Sequence, residues 1–249
     1  MISLKSKREI QIIRTAAEIL KKVFVKVEAA VVPGVTTDEL DAIAEDVIVS
    51  EGGEPAFKGY RGFPKTACIS LNEQVVHGIP GPVKVKEGDI LSFDIGAKVE
   101  GYYADAARTW PVGKVSPEKI RLIDTAREAF EAGLKAYRPG CRIGDLSESI
   151  QQLIESRGFQ VVREYVGHGI GRALHEDPQV PNYGQAGRGP KIEPGLVLAI
   201  EPMVTEGDCA VETLKDGWTV VTKDRKLASH YEDTVVFNEN GFVNLTGGK

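Results

Sequence analysis

VVPGVTTDELDAIAEDVIVSEGG (31–53) recurs in altered form as YRPGCRIGDLSESIQQLIESRGF (137–159). Pro33, Gly34, Leu40, Val47 and Gly52 reappear 106 residues later as Pro139, Gly140, Leu146, Leu153 and Gly158. Thr36 followed three residues later by Glu39 is a capping-box signal, so a helix is expected from there to about Gly52. The repeat runs on into apolar strand-like segments: EGDILSFD, ending at Asp94, matches EPGLVLAIE, ending at Glu201, at an offset of 107. Upstream of the first copy, SKREIQIIRTAAEILKKVFVKVEAAV has helical periodicity; upstream of the second, Ser116 before Pro117 reads as an N-cap with proline at the first helical position. Each helix pair gives way to a β-rich segment, from about Ala67 to Pro111 and from about Phe159 to Phe242. The expected fold class is therefore α+β, two pseudo-twofold duplicated halves with a central antiparallel sheet flanked by helices. Residues 1–249 are read as a single domain, its halves roughly 1–112 and 113–249.

Five metal-philic residues lie in or beside the apolar runs: Asp94, Asp105, His168, Glu201 and Glu232. DILSFDIGA carries Asp94 and GLVLAIEPMV carries Glu201, both inside runs that read as buried strands. An ionised carboxylate buried without a partner costs several kcal/mol or neutralises. Four of them with one imidazole need cations to sit together. IGAKVEGYYAD reads as a hairpin turning near Val99 and Glu100, which sets Asp94 opposite Asp105 on one face, with Cβ atoms about 4.5–5.5 Å apart. Asp94 and Glu201 are candidate equivalents, so a site between the halves would receive one acid from each.

Composition narrows the function classes. The 42% hydrophobic content is ample for a core, and a net charge of -5 with 31 dispersed basic residues gives no basic stripe for nucleic acid. Cys68, Cys141 and Cys209 are odd in number and lack CxxC spacing, which argues against a disulfide framework or zinc ribbon and for a cytoplasmic location. The N-terminus MISLKSKREI has no apolar stretch suited to a secretory signal, and no run approaches a membrane span. GHGIGRALH is not spaced as a phosphate-binding GxGxxG; its glycines are expected to let backbone approach a substrate beside His168.

KGYRGFPKTACISLNEQVVHGIP (58–80), DIGAKVEGYYADAARTW (94–110), VGHGIGRALHEDPQVPNYG (166–184), LAIEPMV (198–204) and WTVVTKDRKLASHYEDT (218–234), taken in order, resemble the bacterial type I methionine aminopeptidases. The resemblance covers nearly the whole chain. Type II relatives carry a large insertion in the second half for which there is no room, and prolidases and aminopeptidases P carry an extra N-terminal domain that is missing. The resemblance implies the pita-bread (creatinase/aminopeptidase) fold. It also implies a dinuclear metal site, with Asp94 bidentate, Asp105 and Glu232 bridging, and His168 and Glu201 completing the shells. Oxygen-dominated coordination with one imidazole suits two divalent ions, Mn, Fe or Co, better than structural zinc.

By the same resemblance, Glu201 is general base and then acid, and His77 and His175 hydrogen-bond the substrate and the developing oxyanion. The positions matching the family's methionine pocket are Phe57, Tyr60, Phe63, Cys68, Leu174 and Trp218. Leu174 stands where phenylalanine is common and Phe57 where a cysteine is known, which bears on pocket depth. His230 matches no catalytic position and is read as a strand residue or one behind the ligands.

The implied activity is hydrolytic removal of the initiator methionine before a small second residue. The implied partners are nascent polypeptide N-termini, with the ribosome as a further candidate, no membrane, no direct nucleic-acid role, and a monomeric state. Ile2 is bulky, so Met1 is expected to stay on the mature chain. Two alternatives remain: a prolidase-like Xaa-Pro dipeptidase, and a catalytically dead pita-bread binding protein, against which the intact ligand quintet argues.

Overall fold

The computed structural model describes residues 2–247; Met1, with its expected retention, lies outside them. In the first half, helices α1 (Lys7–Ala30) and α2 (Thr37–Ser50) precede strands β1 (Glu54–Pro55), β2 (Ala67–Leu71), β3 (Gln74–Val76), β4 (Ile90–Val99) and β5 (Tyr102–Pro111). In the second, α3 (Pro117–Lys135) and α4 (Ile143–Ser156) precede β6 (Gln160–Val161), β7 (Gly167–Gly169), β8 (Glu176–Val180), β9 (Val197–Ile200) and β10 (Met203–Thr205). The remaining strands are β11 (Val211–Thr213), β12 (Val220–Thr222), β13 (Ala228–His230), β14 (Glu232–Asn238) and β15 (Gly241–Asn244).

The duplication is visible in detail. The bounds of α2 and α4 differ by the 106 residues of the repeat. Glu39 accepts from the Thr36 backbone N–H at 2.7 Å, and Asp145, its counterpart, accepts from the Arg142 N–H at 2.7 Å, so an acid at the third helical position closes both helix starts. The isolated bridges Thr36↔Lys84 and Arg142↔Lys191 repeat as well. Two apolar cores follow the same division. One gathers α1, α2 and β4 around Leu20, Leu40, Phe93 and Ile95. The other gathers α3, α4 and β14 around Leu122, Leu146, Ile150 and Phe237.

The central sheet runs β1-β4-β5-β14-β9-β7-β8, with β2 also on β4. β4 pairs β5 and β9 pairs β14, both antiparallel, and the halves join where Asp233 of β14 faces Ala106 of β5. That join brings the acids of both halves into one sheet.

The hairpin register differs from the expected one. Val99 pairs with Tyr102, so the two-residue loop is Glu100-Gly101, and Asp94 faces Ala107 while Asp105 faces Gly96. Glu100 and Gly101 both take positive φ, 47° and 81°, the pattern of a type I′ turn whose twist matches the strands. Glycine adopts this conformation cheaply, and Gly101 draws the turn one residue beyond the expected position. The resulting two-residue slip preserves the face, because side chains alternate with a period of two. Asp94 and Asp105 are diagonal neighbours rather than direct opposites. Glu201 also shifts: β9 stops at Ile200, and Pro202, with no N–H for the ladder, follows Glu201 directly. Among the described residues no helix is long and apolar enough to cross a membrane.

Candidate metal centre

Asp94 comes from the middle of β4, Asp105 from β5, His168 from β7, Glu201 from just past β9, and Glu232 opens β14. Their backbones are anchored individually. The Asp105 N–H donates to Thr234 Oγ1 at 2.9 Å, and that hydroxyl donates to the Asp105 carbonyl at 2.8 Å. Arg108 Nη1 donates to the Glu232 carbonyl at 2.6 Å, and Asn182 Nδ2 to the Glu201 carbonyl at 2.9 Å. His168 Nε2 lies 4.0 Å from Asp105 Oδ2 and 3.7 Å from Glu201 Oε1. Its Nδ1 sits 2.9 Å from the Gly169 carbonyl. A carbonyl only accepts, so Nδ1 carries the proton and Nε2 presents a lone pair to the acids.

Burial raises the carboxyl pKa of Asp94, Asp105, Glu201 and Glu232. The charge of Asp94 raises Asp105 and Glu201 further, and Asp105 and Glu201 do the same to Glu232. Burial pulls His168 down to about 4, so its imidazole is neutral at physiological pH. Asp94 Oδ1, Asp105 Oδ1 and Glu232 Oε1 are buried with no hydrogen-bond partner. Orphaned oxygens cost free energy in proportion to their desolvation, and divalent cations remove both that cost and the repulsion. One ligand atom each from Asp105, His168 and Glu232 lies within 4.8 Å of the others. The residues present therefore fit divalent metal, with hard oxygen donors and one neutral imidazole among the five.

The acids open into a cleft of about 320 Å³ whose lining includes every residue proposed from sequence for substrate contact: Phe57, Tyr60, Phe63, Cys68, His77, Leu174, His175 and Trp218. Cys68 faces Asp94 across β2 and β4, and burial keeps its thiol protonated. Phe63 and Trp218 meet edge to face with centroids 5.1 Å apart. His77 holds a left-handed φ of 59°, and its ring lies against Tyr165 with centroids 5.5 Å apart. Tyr60 Oη is 3.0 Å from His175 Nδ1, and the His175 ring lies tilted against that of His168 with centroids 4.2 Å apart.

Some neighbours escaped the sequence reading. Arg61, Glu164, Tyr165 and Val166, on turns and loops without periodicity to mark them, and Val76, at the end of β3, also line the cleft. His230 stands beside Glu201 and Glu232. From sequence it reads as a strand residue or one behind the ligands, two residues before Glu232 on the same face of an extended chain.

The glycines around His168 do something other than admit substrate. A Cβ at Gly167 would meet the Ala199 carbonyl at 2.5 Å, and one at Gly169 the Asp177 carbonyl at 2.2 Å. Both hold β7 tightly between its neighbouring strands and thereby seat His168.

A duplicated α+β sheet that turns four carboxylates and a histidine into one cleft defines a metallopeptidase class. The model of metallopeptidase family M24 matches residues 11–239, and the chain belongs to that family. Relatives matched over their full length include methionine aminopeptidases. The enzyme from Clostridium perfringens is 52% identical over 99% of this chain and 99% of its own, and methionine aminopeptidase 1 from Bacillus subtilis is 48% identical over the same shares. The crystal structure of methionine aminopeptidase from Thermotoga maritima superposes with a TM-score of 0.97 at 44% identity, covering 100% of both chains.

Proposed function

We propose that this chain removes the N-terminal methionine from nascent polypeptides whose second residue is small. The observation that carries the reading is the complete ligand set, Asp94, Asp105, His168, Glu201 and Glu232, at one end of an apolar cleft with room for an unbranched side chain. The proposal includes two divalent ions, Mn, Fe or Co, a cytoplasmic monomer that meets chains emerging from the ribosome, and one catalytic domain built of halves 1–112 and 113–249.

When bound, such ions lower the pKa of water and polarise a scissile carbonyl. Glu201 accepts the proton of the attacking water and returns it to the leaving amine. His175, brought down to about 3 by burial, stays neutral at working pH. When the Tyr60 hydroxyl donates to its Nδ1, the ring proton sits on Nε2 and donates to the developing oxyanion. His77, also lowered by burial, positions the substrate backbone. Phe57, Tyr60, Phe63, Cys68, Leu174 and Trp218 exclude water from the methionine side chain.

Assay of metal-reconstituted protein against Met-Gly-Met-type peptides and Xaa-Pro dipeptides, across Mn, Fe, Co and Zn under anaerobic conditions, tests this reading. Release of methionine without Xaa-Pro cleavage is expected. Cleavage of Xaa-Pro alone would establish the dipeptidase alternative, and metal-loaded protein inert to both would establish the binding protein. On the same peptides, His175→Ala is expected to lower kcat about 10²–10³-fold, the cost of one oxyanion donor, with little change in KM. A purely raised KM would move His175 from oxyanion to ground-state binding.

A further inference from the structure

His230, on β13, is 2% exposed and lies behind the five acid and imidazole ligands. Its Nε2 stands 3.7 Å from Glu201 Oε2 and 3.9 Å from Glu232 Oε2, and no hydrogen bond reaches it. His168, across the site, holds its Nε2 3.7 Å from Glu201 Oε1 and 4.0 Å from Asp105 Oδ2. The two imidazoles thus address the two oxygens of one carboxylate, each from its own side, at matching separations. These separations are too long for hydrogen bonds. They suit atoms that share an ion through bonds of about 2.0–2.2 Å.

The strand holds His230 in that pose. Its N–H donates to Thr109 Oγ1 at 3.0 Å, the same hydroxyl lies 2.8 Å from its carbonyl, and Ser92 Oγ sits 2.8 Å from the Thr109 hydroxyl. Pairing with Met203 fixes the other edge. A buried ring nitrogen that faces two carboxylates and bonds to neither is uncompensated until something fills the gap.

We propose that His230 is a sixth protein ligand, joining Glu201 and Glu232 through Nε2, so that this metal centre carries two imidazoles. The inference rests on the metallopeptidase reading above. Its chemical consequence is selectivity: a second nitrogen donor favours Fe or Co over Mn and Mg more strongly than an all-oxygen second position would.

Metal-depleted full-length protein reloaded anaerobically with two equivalents of Co(II) provides the test. Each imidazole bound through Nε2 keeps a proton on Nδ1, which appears in the proton NMR spectrum as a hyperfine-shifted signal that vanishes in D2O. Two such signals are expected from the unaltered protein, and a single one overturns the proposal without recourse to any variant. In His230→Gln one signal should disappear while the other persists. Calorimetry should show the Kd of one Co(II) equivalent rising at least about 10-fold. Unchanged signals and affinities in that variant would equally refute the sixth ligand. If the unaltered protein takes up no Co(II) at all, the metallopeptidase reading itself fails.

Discussion

Asp105→Ala should abolish methionine release and lower the bound metal at the same time. Asp105 is 4% exposed, its Oδ1 has no partner, and its carboxylate faces His168 Nε2 from the centre of the site. Asp105 would hold divalent metal together with His168 and Glu232, so one truncation would remove a ligand from the centre. The expected loss in kcat/KM exceeds about 10³-fold, beyond that of a single electrostatic donor. Stability should move in the opposite direction. In metal-free protein Asp105 is an acid whose pKa burial, Asp94 and Glu201 all raise, so its removal relieves repulsion and should not lower Tm. The backbone stays in place because Thr234 holds main-chain atoms of Asp105, which alanine retains. Metal analysis beside peptidase assay settles the matter. Full activity with unchanged metal content would remove Asp105 from the site.

Arg108→Met should be the most destabilising single change next to the site. Asp233 is fully buried and accepts from Arg108 Nη2 at 2.7 Å, Thr246 Oγ1 at 2.6 Å, Asn244 Nδ2 at 2.7 Å and Tyr231 Oη at 3.0 Å. Arg108 also donates to the Glu232 and Ala107 carbonyls, and its guanidinium lies over Tyr231 at 4.3 Å and Phe24 at 4.9 Å. Methionine keeps the stem but strands a buried charge, at a cost of about 3–5 kcal/mol. For a chain of this size that corresponds to a Tm lower by roughly 6–20 °C. Adding Asp233→Asn should restore much of the loss, since the remaining side chain no longer carries the charge. Thermal unfolding of the two variants decides; a drop under about 1 kcal/mol for Arg108→Met would show that the ion pair carries little. Activity should fall too, because Glu232 loses the donor that fixes its carbonyl.

Much of this arrangement is legible in the sequence. The helix start at Thr36 follows from a local exchange of hydrogen bonds, of which the second copy keeps one half: Asp145 accepts from the Arg142 N–H, and the arginine side chain has no acceptor for the return bond. Asp94 and Asp105 shared a face in either register because face depends only on parity. Their exact opposition did not survive, since a turn is placed by the conformational cost of individual residues, here Glu100 and Gly101. Tyr165 reaches His77 from a loop with no pattern at all. The glycines beside His168 showed in sequence that something must come close, but not that the close neighbours were strand carbonyls.

The chain by itself determined the elements, the duplication and the chemical types of the candidate ligands, because these rest on short-range periodicity, capping and the cost of burying charge. Only the tertiary structure decided which atoms meet. The join of Asp233 to Ala106 spans the two halves, and no local pattern encodes a contact of that sequence separation. Within the second half, the pairing of β7 with β9 and of β13 with β10 brings Glu201 to both His168 and His230, again across separations that no local pattern encodes. A histidine that looked incidental beside Glu232 gains its proposed role from a strand packed against the site from the other side.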